Sequence, residues 1–104
     1  FDTLGRPFLR ILRDIVRAGE RNDTSVTLCG EMASKPISAM ALLGIGFRSV
    51  SMSPAAIGPV KSMLLALDAG KLEAVLTPAI DDMKPTASIR QILTDFAAEN
   101  GIPL

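Results

Sequence analysis

Two short β-forming runs, Ser25-Val26-Thr27-Leu28-Cys29 and Phe47-Arg48-Ser49-Val50-Ser51-Met52, are separated by a single helix-length segment. Each alternates in character, as a strand does. Strand–helix–strand order implies a parallel pair joined by a right-handed crossover. Two parallel strands do not make a stable sheet alone, because parallel sheets need more strands and cover on both faces. The chain is therefore expected to be part of a larger α/β fold.

Composition points the same way. The chain has 104 residues, 48% of them apolar, with 8 Gly besides. A domain this small has a poor surface-to-volume ratio and should not carry an apolar excess unless it docks against something. Three readings stay open: an obligate oligomer, a partner-bound subunit, or a piece of a larger fold. The chain begins at Phe1 rather than Met, and we expect it to have been cut from something longer. No apolar run approaches the length of a membrane span, and FDTLGRPFLR lacks the pattern of a signal peptide. Eleven basic residues balance eleven acidic ones, which disfavours a nucleic-acid module. One cysteine excludes an internal disulfide framework and suits a reducing compartment; the absence of His removes Cys–His and Ser–His–Asp catalysis within this chain.

Residues 6–21 read as an amphipathic helix. Arg6, Arg10, Arg13, Arg17 and Arg21 share one stripe, read as a solvated face, and Phe8, Leu9, Ile11, Leu12, Ile15 and Val16 cover the opposite half. After the first strand, Ser34 is the expected N-cap of a largely buried helix with Pro36 early in it, ended by Gly44 and Gly46. After the second strand, Ser53-Pro54 open a helix whose main segment starts at Pro59 and closes at Asp68-Ala69-Gly70. Residues 71–80 form a short helix with a break near Pro78, and 81–85 a linker. The last helix spans Thr86 to Glu99, with Ile89, Ile92, Leu93, Phe96 and Ala97 as its stripe and Asn100-Gly101 at its end.

Strand parity sets Val26, Leu28, Val50 and Met52 against Thr27, Cys29, Ser49 and Ser51. In an α/β barrel the second set would face the interior, with Cys29 at the carboxyl end of its strand, where such barrels keep their chemistry. Taken alone, a lone Cys is most often a buried small hydrophobe, Gly30 a turn glycine and Glu31 a solvated or helix-start acid. Gly44-Ile45-Gly46 precedes a strand, where a dinucleotide loop would follow one. The five methionines read as core filler, and Ser51 and Ser53 lack a base that would make either a nucleophile.

The stretch Val26 to Ala33, which holds Cys29-Gly30-Glu31, resembles the C-terminal part of the phosphoenolpyruvate-utilising enzymes. So do Ala41-Leu42-Leu43-Gly44-Ile45-Gly46-Phe47 and Ser51-Met52-Ser53-Pro54. The match is nearest to enzyme I of the phosphotransferase system, and Phe47 to Lys61 is similar to its nitrogen-related branch. The resemblance implies that residues 1–104 are the C-terminal fragment of a (β/α)8 TIM-type barrel: the last two βα units plus C-terminal helices. It implies that the parent moves the phosphoryl group of phosphoenolpyruvate to a histidine on a separate domain and on to a phosphocarrier protein, releasing pyruvate. Cys29 matches the family's proton donor to the enolate. A thiol with a pKa of about 8.5 is mostly protonated near neutral pH, as that role requires. Substrate-binding arginines, the Mg2+ ligands and the phosphorylated histidine are expected upstream, and none is assigned here. The parent is expected to be a cytoplasmic homodimer with no nucleic-acid or membrane partner. Ser34-Lys35 departs from the family, which often has Gly-Asp there.

The competing reading is a non-catalytic interaction or dimerisation module of barrel-like fold, in which Cys29 is merely buried. As a barrel fragment the isolated chain is expected to be inactive and to expose apolar surface. Sedimentation velocity should show self-association, with strong hydrophobic-dye binding. A monodisperse monomer with little dye binding would contradict it.

Overall fold

The computed structural model describes residues 4–24, 26–29 and 31–104, and of Leu28, Cys29 and Glu31 the backbone alone. The expected strand start at Ser25 and the motif residue Gly30 lie outside the described residues. The first helix, α1, covers Arg6–Arg21 as the periodicity predicts, with Pro7 in its first turn. Strand β1 is Leu28–Cys29. A 3-10 turn at Glu31–Ser34 leads into α2, Pro36–Gly44. Strand β2 is Val50–Ser51, and α3, α4 and α5 are Pro54–Ala66, Ala69–Ile80 and Ile89–Asn100. The strands pair in parallel, Leu28 with Val50 and Cys29 with Ser51. The order is therefore the expected one, but the described strands are much shorter than the runs 25–29 and 47–52.

Helix packing dominates. Ser38, Ala39, Met40, Ala41, Leu42 and Gly44 of α2 are all buried. A helix apolar on every side belongs at a centre, and α2 packs against α3, α4, α5 and the 3-10 turn. Gly44 lets α4 approach closely: a Cβ there would stand 2.6 Å from Leu76 Cδ2. Leu72, Leu76 and Ile80 of α4 and Ile89, Leu93 and Phe96 of α5 complete the core. The radius of gyration, 13.1 Å, is that of an ordinary domain of this length. The helices thus enclose a core around α2. No described helix is long and apolar enough to cross a membrane.

Several boundaries differ from the expectation. Lys35, not Ser34, is the N-cap of α2, because the 3-10 turn already takes Ser34. Asp68 opens α4 instead of closing α3: its carboxylate accepts from the Lys71 backbone N–H at 3.1 Å. Helix α3 runs through Pro59 and α4 through Pro78. Each proline and the residue four before it, Ala55 or Ala74, is exposed, so the hydrogen bond each proline deletes is lost on the solvent side. The final helix starts at Ile89, where Ser88 Oγ accepts from the Gln91 N–H, and not at Thr86. It ends as expected at Gly101, left-handed at φ 65, and the Ile102 N–H returns to the Ala97 carbonyl. Met40 and Met63 are core methionines, whereas Met83 is 87% exposed.

The arginine stripe of α1 is not a solvated face. Arg6 Nε donates to the Ala79 carbonyl and its terminal nitrogen to Ala87, each at 2.8 Å. Arg10 Nε donates to the Ile80 carbonyl at 3.0 Å. Arg13, 8% exposed, forms a two-pronged pair with Asp81 at 2.9 and 2.7 Å, although its Nε has no partner. Only Arg17 and Arg21 are exposed. Meanwhile Ile11 and Ile15, read as part of the buried half, are exposed. Helix α1 is rotated so that its arginines meet the last carbonyls of α4, where orphan acceptors and the negative helix end favour cations.

Hydrogen bonding to Arg13 holds Asp81 below the usual carboxylate range, against a smaller opposing effect of burial. A depressed folded pKa contributes stability above the unfolded value of about 3.9, lost as pH falls through the folded pKa. Thermal melts should therefore drop on acidification below about pH 4, and Asp81→Asn should flatten that drop while lowering the neutral-pH midpoint. Identical acid limbs in both proteins would refute this. Leu76→Ala, at the α2–α4 crossing, should lose about 2–5 kcal/mol in urea unfolding.

Candidate functional site

The strands set the geometry of the candidate site. Both run the same way, so their carboxyl ends lie together. The residues that follow them, the 3-10 turn after β1 and Met52-Ser53 after β2, wall a cleft of about 730 Å³. Ser34, Lys35 and Pro36 form one side, and Ser51, Met52 and Ser53 the other. The first turns of α2 and α3 open onto it, since Pro36, Ala55 and Ala56 line it too. Ser53 stands at the N-cap of α3 with extended backbone and makes no side-chain cap bond.

The backbone of Cys29 lies at this end, in register with Ser51, itself a wall of the cleft. Its side chain, like that of Glu31, is outside the described residues. The other polar-parity residues behave as the alternation predicts. Thr27 Oγ1 donates to Ser49 Oγ at 3.0 Å, and Thr27, Ser49 and Ser51 are all exposed. Val26, Val50 and Met52 pack against the core from the opposite face. The two hydroxyls therefore mark a polar face that β1 and β2 share.

Chemistry at the other end of the strands is weaker. A smaller cleft of about 340 Å³ there is lined by Glu20, Val26, Gly46 and Arg48, among others. Arg48 is engaged, donating to the Leu43 and Phe47 carbonyls. Gly46, at φ 119, takes a conformation that an L side chain rarely adopts, and a Cβ would meet Val16 at 3.0 Å. That glycine serves the turn into β2, consistent with rejecting Gly44-x-Gly46 as a nucleotide loop.

The chain matches the family model described as PEP-utilising enzyme, PEP-binding domain, over residues 1–69, where PEP is phosphoenolpyruvate. The chain belongs to the PEP-utilising enzymes. It is 34% identical over 95 residues to a phosphoenolpyruvate-protein phosphotransferase of Cupriavidus necator, covering 88% of this chain and 16% of that protein. It is 28% identical over 102 residues to a protein of Escherichia coli named phosphoenolpyruvate-dependent phosphotransferase system, covering 98% of this chain and 14% of that one. A multiphosphoryl transfer protein of Escherichia coli is 32% identical over 111 residues, 89% of this chain and 13% of its own length. The chain thus spans a small part of each curated relative. No solved structure matches it.

Within the segment that matches the family, the structure brings Cys29 and Ser51 together at backbone level and puts Lys35 and Ser53 around the same cleft. From the sequence Lys35 stands out only as a departure from the family, Ser51 as an interior-facing strand residue and Ser53 as the start of a helix, neither serine with a base to make it a nucleophile. Their position at the carboxyl ends of the strands was the available signal. Arg6, Arg10 and Arg13 are not at the cleft; they serve the end of α4. Among the described residues no group of three or more Cys, His, Asp or Glu side chains could hold a metal ion.

Proposed function

We propose that residues 1–104 are the C-terminal part of the phosphoenolpyruvate-binding barrel of a phosphoenolpyruvate–protein phosphotransferase. The observation that carries this reading is the cleft at the carboxyl ends of two parallel strands, with Cys29 in register beside its wall. That is the face on which (β/α)8 enzymes assemble their sites. The membership of the chain in the PEP-utilising enzymes supports it. So does the groove of about 420 Å³ along β2, where Ile57 and Leu64 of α3 are exposed beside Val50. A further strand of the parent barrel would seat there and cover both.

In this reading the P–O bond of phosphoenolpyruvate breaks and the phosphoryl group passes to a histidine nitrogen elsewhere in the parent. The electron pair stays on the enolate of pyruvate. The Cys29 thiol then delivers its proton to the terminal enolate carbon, forming the methyl group, and the thiolate regains a proton from solvent. A thiol suits this step because it is protonated at neutral pH yet acidic enough to give the proton up. The phosphoryl group continues to a phosphocarrier protein. Magnesium, which the family resemblance implies, finds no ligand cluster among the described residues of this chain, so no step here is routed through it. The parent is read as a cytoplasmic dimer. The exposed apolar residues Ile11 and Ile15 on α1 support an apolar contact with another surface, whether barrel or partner.

The test uses the full-length natural protein and labelled phosphoenolpyruvate. The wild type should place label on a histidine and release pyruvate. Cys29→Ala should slow pyruvate formation at least about a hundredfold, the low end of what a positioned general acid contributes. Equal turnover in both would keep the enzyme and dismiss Cys29. No label in either would favour a non-catalytic interaction module.

A further inference from the structure

The cleft at the strand ends has one charged residue among its described lining, and it is a cation, Lys35. Three hydroxyls, those of Ser34, Ser51 and Ser53, share the lining with it, and no described acid does. Lys35 has no ion-pair partner among the described residues. It caps α2 with extended backbone, φ −103 and ψ 130, and its position is fixed by Pro36 on one side and the 3-10 turn on the other. The other lysines stand elsewhere: Lys61 on the groove beside β2, Lys71 in the first turn of α4, and Lys84 between α4 and α5. Arg48 is held by two backbone carbonyls at the far end of the strands.

We infer that Lys35 is an anion-binding residue of the cleft, which with the Ser34, Ser51 and Ser53 hydroxyls holds the phosphate or carboxylate group of a small phosphorylated acid. An ammonium is a compact point charge with three donors on a flexible stem, so it can follow a tetrahedral phosphate that moves as a bond breaks. Hydroxyls complement it because each can donate to a remaining anionic oxygen. A cleft whose described lining holds one cation and no acid favours negative charge. The inference rests on the proposed reading for the identity of the acid, phosphoenolpyruvate, but not for the anion site itself. Lys35 is a binding residue here, and Cys29 keeps the proton.

The experiment measures the rate at which an amine-specific reagent labels each lysine of the full-length natural protein, resolved by peptide mass spectrometry. Inorganic phosphate and phosphoenolpyruvate are the probes. Either should slow labelling of Lys35 several-fold and leave Lys61 and Lys84 unchanged. In parallel, Lys35→Ala should raise KM for phosphoenolpyruvate about tenfold, as loss of one charge-assisted contact does, with kcat changed less. Lys35→Arg should restore most of it. Protection by phosphate in a protein that takes no label from phosphoenolpyruvate would keep the anion site and end the proposed function. Phosphoryl transfer with Lys35 unprotected, or with KM unchanged in Lys35→Ala, would overturn the inference and leave the function standing.

Discussion

The contact on which this fold most depends joins its first helix to its fourth. Arg6 and Arg10 donate to the last carbonyls of α4, and Arg13 grips Asp81 just beyond them. These bonds tie together residues about seventy positions apart. The sheet could not do this, because its described strands pair over two residues each. A helix end left bare against the protein would strand carbonyl groups without donors, which is costly once they are shielded from water. The guanidinium groups remove that penalty and lay their apolar stems along the contact. Helix α1 thereby takes its rotation from its arginines. Its exposed isoleucines follow as a consequence, since one helix cannot turn both stripes inward.

This explains what the sequence did and did not disclose. Helix α1 has one strong period and one proline at its start, and its limits were legible to the residue. The stripe of α5 was legible too, because Ile89, Leu93 and Phe96 recur at helical spacing and Gly101 marks the end. The role of the arginine stripe was not. Five arginines on one face look alike whether they meet water or a helix end, and the end they meet lies some seventy residues later. Pro59 and Pro78 misled for a related reason. A proline stops a helix only if its lost hydrogen bond matters, and both stand where solvent can replace it. Strand lengths were overread because alternation describes residues that could pair, whereas a ladder needs a neighbour on each side.

The candidate site was legible in a different way. Parity alone placed Thr27 and Ser49 on one polar face, and their hydroxyls meet there. Parity put Cys29 at the carboxyl end of its strand, but its proposed role as proton donor comes only from its motif, through family resemblance. Lys35 shows the reverse. Resemblance made it an anomaly, while its place at the cleft makes it a functional candidate. The two routes fail on different residues because one reads what relatives share and the other reads where the backbone goes.

The apolar excess, finally, can be assigned to places. The core takes most of it, around the largely buried α2. Part of the remainder, Leu65, Val75, Met83 and Leu104, is exposed elsewhere, but Ile11 and Ile15 lie one turn apart on α1, and Ile57 and Leu64 two turns apart on α3. Spacing of this kind is what a helix shows toward a neighbour it packs against. The α3 pair borders a strand whose outer edge has no described partner. An unpaired edge beside an apolar face is avoided in proteins that stand alone, because it invites a further strand. The chain is therefore closed enough at its helical side to hold a core, and open at its strand side, where the cleft lies. That asymmetry is what the proposed barrel segment would require. In that reading its helices shield the sheet from solvent, while its strands stay available to those that would complete the ring and the site.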